Sequence, residues 1–245
     1  EELHLYDLNS EESRPFVTGK VNVGSIGWLP DGSAISFLAK RDGDEQTSLY
    51  TIAADGGEAR KIVELETDID DYTWSPDGRR VALMAGRPDP AEKTELEEQG
   101  FDQQIYEEDW LHRALYVAMP GSDEEPQRLE DLDSSVLQAV WSPDSSKIGV
   151  SLAPTPLVDD SYMQQRVAVI GAASGGILAR IQNRGKLQTF AWSPDASQLV
   201  LIAGVDIHDP AAGQLMVAPA TGGEPELLIP GHEGHVQAVA WPEAD

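Results

Sequence analysis

Trp74-Ser75-Pro76-Asp77-Gly78 decides the reading of this 245-residue chain, because the same phrase returns along it. It stands as Trp28-Leu29-Pro30-Asp31-Gly32, Trp141-Ser142-Pro143-Asp144-Ser145 and Trp192-Ser193-Pro194-Asp195-Ala196, with a degenerate copy opening at Trp241-Pro242. The tryptophans of successive copies lie 46, 67, 51 and 49 residues apart. Proline presets φ at the first turn position, and Asp or Gly tolerates the dihedral angles of the later ones. Each phrase therefore reads as a hairpin between two short strands.

The neighbours of each Trp repeat as well. Five residues earlier stand Val23, Ile69, Val136, Leu187 and Val236, all apolar. After each turn comes a strand-like run, such as Ala34-Ile35-Ser36-Phe37-Leu38 or Leu199-Val200-Leu201-Ile202. A third strand follows (Leu49–Ile52, Leu115–Ala118, Val167–Ile170, Leu215–Ala218), then a turn such as Asp55-Gly56-Gly57 or Thr221-Gly222-Gly223, then a more polar fourth strand. Four short antiparallel strands in a unit of this length make a propeller blade. A single blade cannot bury both faces, so neighbours must stack.

The expectation is an all-β propeller of about five blades over residues 1–245, four complete and two partial. The boundaries fall near 1–20 (half a blade), 21–66, 67–132, 133–183, 184–232 and 233–245 (first strand only). Leu3–Leu8 resembles a third strand and Pro15–Thr18 a fourth, so the chain enters halfway through a blade. Trp28, Trp74, Trp141, Trp192 and Trp241 are expected as the structural anchors of their blades.

One interval is long because residues 87–113 separate a second strand from its third. Ala91 to Gln99 is rich in Glu and Leu, with Thr94 its one β-branched residue, which is a helical composition. Pro88 and Pro90 precede it and Gly100 can stop it. Nine acidic residues lie from Asp89 to Asp109 against Arg87 and Lys93. A solvated helical flap is expected, with the option of an arm that touches a partner or narrows an entrance.

Composition narrows the partners. With 43 acidic and 17 basic residues the formal charge is −26, which repels phosphate backbones and anionic lipid. Nucleic acid and membrane surfaces are therefore not expected partners. There is no cysteine, so disulfide and thiolate chemistry is excluded, while no compartment is indicated. The opening Glu1-Glu2, without Met, is expected of a chain that lost a leader or begins in mid-protein.

The Trp-Ser-Pro-Asp-Gly blades resemble the propeller of the prolyl oligopeptidase family of serine peptidases. Tyr106-Glu107-Glu108-Asp109-Trp110, followed by Arg113 and Leu115-Tyr116, looks like its acylaminoacyl-peptidase branch, as does Pro154–Tyr162. TolB-like propellers share the blade repeat alone. The resemblance implies a two-domain enzyme whose propeller gates the entry of peptide substrates to a C-terminal α/β-hydrolase domain. That domain would carry a Ser in a G-x-S-x-G elbow, then Asp and His. This chain has no such elbow: Ser174 has Ala172 two residues before it and sits in a third-to-fourth-strand turn. No catalytic residue and no cofactor is expected within it.

Glu107 and Glu108 are the candidate substrate contact. In the dipeptidyl-peptidase branch a propeller Glu pair holds the substrate's free amine, and paired carboxylates suit an ammonium group. The competing and favoured reading is an insertion anchored by Trp110 with Glu pairing Arg113. Asp159-Asp160-Ser161 and Asp206-Ile207-His208-Asp209 are oxygen-rich enough for Ca²⁺ but lack a full ligand set, so turn chemistry is expected. His232 and His235 flank Glu233 among glycines rather than on a helix, so no zinc site is expected. His4, His112 and His208 are scattered. A stand-alone interaction module is the rival function, and a metal-dependent lyase ranks last. First-strand residues Asp70, Asp71, Gln138, Gln188 and Gln237 offer a lyase no histidines.

Overall fold

Four times the Trp-x-Pro-Asp phrase closes the same β-turn. The fourth turn residue donates its amide to the first one's carbonyl: Gly32 to Leu29 (2.9 Å), Gly78 to Ser75 (2.8 Å), Ser145 to Ser142 (2.8 Å) and Ala196 to Ser193 (2.9 Å). Proline sits second, as a type I turn favours, and the fourth residue is left-handed, with φ between 57° and 70°. In three copies the serine hydroxyl donates to the aspartate carboxylate at 2.6 Å and accepts the amide five residues on. The Ser and Asp side chains of the phrase thus form a polar knot with local partners, which makes it recognisable from sequence.

The computed structural model describes residues 2–19, 21–101, 103, 105, 109–129 and 132–241. Strands β1 (Leu3–Asp7) and β2 (Glu12–Val17) form a two-stranded half-blade. Four antiparallel four-stranded blades follow, each in simple meander order. The first holds β3 (Val23–Trp28), β4 (Ala34–Ala39), β5 (Ser48–Ala53) and β6 (Arg60–Val63). The second holds β7 (Ile69–Trp74), β8 (Val81–Gly86), β9 (Arg113–Ala118) and β10 (Gln127–Arg128), with helix α1 (Ala91–Glu98) inserted before β9. The third holds β11 (Ser135–Trp141), β12 (Lys147–Ala153), β13 (Arg166–Gly171) and β14 (Ile177–Arg180), with helix α2 (Val158–Met163) before β13. The fourth holds β15 (Leu187–Trp192), β16 (Gln198–Ala203), β17 (Gln214–Pro219) and β18 (Glu226–Leu227). The architecture is an all-β propeller.

The cores lie between blades. Leu3 and Val17 of the half-blade pack with Val23, Ile35 and Phe37 of the first blade. Leu38 and Leu49 meet Val81 and Leu83 of the second. Met84 and Leu115 meet Val136, Trp141 and Ile148 of the third, and Val167 and Val169 meet Phe190, Trp192 and Leu201 of the fourth. The second and third strands are apolar on both sides because both of their faces are covered.

Three of the anchor tryptophans reach back to the blade before them. Trp141 Nε1 donates to the carbonyl of Thr73 and Trp192 Nε1 to that of Val140, both at 3.0 Å. Each acceptor is the residue just ahead of the previous blade's own Trp. Trp74 uses a relay: its indole donates to Ser36 Oγ at 3.0 Å, and that hydroxyl donates to the Gly27 carbonyl at 3.2 Å. The indole needs room on the receiving second strand, where Ser36, Ala82 and Gly149 are small. At Gly149 a Cβ would stand 2.7 Å from Phe190 Cε2 and 3.2 Å from Trp192 Nε1.

Three sequence expectations need correcting. Trp28 is not in the core: it is 55% exposed, and among the described residues only the two-stranded sheet of β1 and β2 precedes its blade. Asp159–Ser161 lies in helix α2 rather than a loop. Residues 236–241 resemble a first strand but form no ladder among the described residues; Val236 is held by its amide on the Gly213 carbonyl at 2.9 Å.

Candidate functional site

Meander topology sorts the loops. First-to-second and third-to-fourth turns emerge at one end of every blade, second-to-third and fourth-to-first connections at the other. The first end is built of the short Pro-Asp and Gly turns. The second carries everything irregular: the insertion after β8, helix α2 and the 204–213 loop. Seven of the exposed large apolar side chains lie there: Leu96, Phe101 and Ile105 on the insertion, Val158 and Tyr162 on α2, and Val205 and Ile207. Grouped apolar exposure of this kind marks an interaction surface better than isolated residues do.

The insertion is fastened at its roots. Arg87 donates its backbone amide to the His112 carbonyl (3.0 Å) and its Nη2 to the Leu132 carbonyl (2.7 Å). Trp110 packs edge-on against His112, with ring centroids 4.9 Å apart. His112 Nδ1 lies 3.1 Å from Ser135 Oγ. Burial first, and then the Arg87 charge, lower the His112 pKa and favour the neutral ring. Because Ser135 is fully buried, this Ser-His contact ties the insertion to β11 and presents no nucleophile. Helix α1 has no buried residue, and its Lys93 pairs with Asp89 at 2.7 Å. It is a solvated arm.

Around the axis, the first strands are linked by glutamine. Gln138 Nε2 donates to the Gln188 carbonyl at 3.1 Å, and Gln188 Nε2 to the Gln237 carbonyl at 3.0 Å. The register shift between Leu187 and Thr189 in β15 leaves Gln188 out of the ladder and frees its carbonyl for this bond. On β7 Asp70 and Asp71 replace glutamine. Asp70 forms an ion pair with Arg113 Nε at 2.9 Å, so the arginine expected to meet a glutamate meets an axial aspartate.

Glu107 and Glu108 lie outside the described residues. The remaining sequence candidates are spent on local structure. Asp160 accepts from Thr155 Oγ1 at 2.8 Å within α2, and Asp206 accepts the His208 amide at 2.7 Å. Ser174 lies in the turn joining β13 to β14, where its hydroxyl accepts the Gly176 amide at 3.3 Å. His235 packs against Gly213, where any Cβ would collide with its ring. Among the described residues no group of three or more His, Asp or Glu side chains is placed to hold a metal ion. A cleft of about 780 Å³ opens at the outer rim between the first and second blades, but Glu45, Glu64 and Glu66 share its wall with Lys61 and Arg128, which selects no single ligand charge. Sequence reasoning missed the Lys186 ammonium over the Tyr162 ring, 5.8 Å from its centroid, because the two are brought together only by folding.

Comparison with known proteins agrees with this architecture. No protein-family model matches the chain. A stretch of 61 residues is 33% identical to the uncharacterized peptidase YuxL of Bacillus subtilis (strain 168), covering 25% of this chain and 9% of that protein. Among solved structures, putative TolB from Agrobacterium tumefaciens superposes with a TM-score of 0.56 at 18% identity, over 95% of this chain and 71% of that one. TolB from Acinetobacter baumannii gives 0.56 at 14% identity, over 94% and 49%. Kuenenia stuttgartiensis hydrazine synthase gives 0.52 at 14%, over 89% and 58%. At such identities the likeness to solved structures is one of fold.

Proposed function

We propose that this chain is the non-catalytic propeller portion of a serine peptidase of the prolyl oligopeptidase family, similar to the acylaminoacyl-peptidase branch. In this reading it gates peptide access to an α/β-hydrolase domain carried elsewhere in the same protein. The observation that carries the proposal is the 61-residue match to a peptidase. The arrangement of the loops supports it. The end bearing the insertion, α2 and their exposed apolar side chains is the end suited to meet another domain. Peptides are the proposed substrates; an acylated amino terminus carries no ammonium group, so this reading gives Glu107 and Glu108 no amine to hold.

The test is the reading frame that encodes the chain. A G-x-S-x-G segment downstream, with Asp and His after it, is the expected result. A stop codon soon after Asp245 would overturn the proposal. The isolated chain should also leave acyl-peptide anilides intact; hydrolysis abolished by a serine-directed inhibitor would refute its non-catalytic role.

A second reading, a stand-alone interaction propeller, draws on the likeness to the two TolB structures. The same sequencing result separates the two, because only the first requires a hydrolase domain.

A further inference from the structure

Asp31-Gly32, Asp42-Gly43, Asp55-Gly56 and Asp77-Gly78 carry the same latent chemistry in their sequence. The glycine amide nitrogen can attack the aspartate side-chain carboxyl and close a five-membered imide. The carboxyl hydroxyl leaves with the amide proton as water. Water then reopens the ring at either carbonyl. Opening at the side-chain carbonyl restores aspartate, whereas opening at the main-chain carbonyl leaves isoaspartate, with the chain running through the former side chain. The water lost on closure is regained on opening, so no co-reactant is needed. Glycine favours closure because it has no Cβ in the way and few conformational limits.

The fold separates the four pairs. Gly32 and Gly78 donate their amides to the Leu29 and Ser75 carbonyls, at 2.9 and 2.8 Å. The carboxylates beside them are held as well. Asp31 accepts the Ser33 amide (2.9 Å) and hydroxyl (2.7 Å), and Asp77 accepts the Ser75 hydroxyl (2.6 Å) and the Arg79 amide (3.1 Å). At Asp55-Gly56 the amide is held on the Ala53 carbonyl at 2.9 Å, while the carboxylate has no partner among the described residues. At Asp42-Gly43 both reacting groups are free: among the described residues no donor reaches the carboxylate and the amide finds no acceptor. Both residues are exposed, and the space around the Gly43 Cα is open.

This pair occupies the middle of a turn that is closed twice. Asp44 donates its amide to the Arg41 carbonyl, and its carboxylate accepts the Arg41 amide, both at 2.9 Å. The same carboxylate, 7% exposed, accepts the Tyr50 hydroxyl of β5 and the Lys61 ammonium of β6. The flanks of the turn are therefore fixed and its two central residues are not.

We propose that Asp42-Gly43 is the site at which this chain spontaneously converts aspartate to isoaspartate. Conversion adds one methylene to the main chain between Arg41 and Asp44, so the double closure has to readjust, and with it the bonds to Tyr50 and Lys61. The other three pairs are protected by their hydrogen bonds, not by their sequence.

The test is incubation of the whole chain in warm, mildly acidic buffer. Electron-transfer fragmentation of its peptides locates isoaspartate, and a methyltransferase that labels the isoaspartyl carboxyl counts it. An amide bond that must open first slows closure about fivefold, or ~1 kcal/mol of barrier. Conversion at Asp42 should therefore lead, with Asp55 about fivefold slower and Asp31 and Asp77, whose carboxylates are also held, slower still. Unfolding the chain in urea should bring the four rates together. Asp42→Glu, which would have to close a less favourable six-membered ring, should remove the signal at that position and leave the other three rates unchanged. Equal rates at the four pairs of the folded chain, earlier product at Asp55, or no product at Asp42 would each overturn the proposal. A ranking that survives unchanged in urea would overturn it too, because the protection would then not come from the fold.

Discussion

Trp28 and Trp192 open the same four-residue motif, end the same kind of strand and precede turns with the same bond. One is 55% exposed and the other 6%. The shared Trp-x-Pro-Asp phrase does not foretell the difference. Trp192 is received by β11 and β12 of the blade before it, whereas among the described residues only β1 and β2 precede the blade of Trp28. A propeller repeat thus specifies its own hairpin but not its own burial, which its neighbour confers.

The largest test of that contrast is truncation of the two rings. Trp192→Ala should cost ~3–5 kcal/mol, since it empties a packed site and orphans the Val140 carbonyl, whereas Trp28→Ala should stay within about 0.5 kcal/mol. Urea denaturation of the two variants measures both, and equal losses would contradict an interface origin for the burial. Next in size is Gly149→Val, aimed at the receiving strand. Its branched side chain has to displace Phe190 and Trp192, with an expected penalty of about 1–3 kcal/mol in the same denaturation assay.

A smaller effect of opposite sign belongs to the turns. Ala196 is left-handed at φ 57°, where Gly32 and Gly78 hold the same place without a Cβ. Ala196→Gly should stabilise by about 0.5–1 kcal/mol. Ser145→Gly should gain less, because the Ser145 hydroxyl accepts the Asp77 amide at 3.1 Å, linking neighbouring turns. Thermal or urea midpoints of the two variants rank them.

The smallest expected effect is acid sensitivity. The Ser142 hydroxyl bond first, together with Ser146, lowers Asp144 to about 2; the Ser193 hydroxyl and Ser197 do the same for Asp195. An unfolded aspartate titrates near ~3.9, so the unfolded chain binds more protons between the two values. Stability from these turns is present above about pH 4 and is lost as the pH falls through about 2. Asp144→Asn with Asp195→Asn should flatten that part of the stability curve while leaving it unchanged in slope near neutrality. Chemical denaturation at a series of pH values reads this directly.

Much of the architecture was legible because its signals are local. Ser75, Pro76, Asp77 and Gly78 specify a turn whose Ser75 hydroxyl and Asp77 carboxylate find their partners within five residues. Repeating that turn at blade spacing exposes the meander. The insertion was legible for the same reason: the Glu-rich run and Gly100 bracket a helix that touches nothing buried. Helix α2 was not, because Pro156 and paired aspartates read as a loop, and the six-residue helix is held by contacts such as Asp160 to Thr155. The role of Gly149 was equally invisible, since its collision partners lie 41 and 43 residues away in the next blade.

Sequence alone therefore determined the repeat, its strands and turns, the place of the insertion and the absence of a nucleophile elbow, all of which depend on residues close along the chain. Tertiary structure alone decided which tryptophans are buried, that Arg113 meets Asp70, that glutamines bridge the first strands, and that the exposed apolar side chains of the insertion, α2 and the 204–213 loop share one end. The physical reason is that blades meet through side chains roughly fifty residues apart, and a contact of that range leaves no mark on either partner's local sequence.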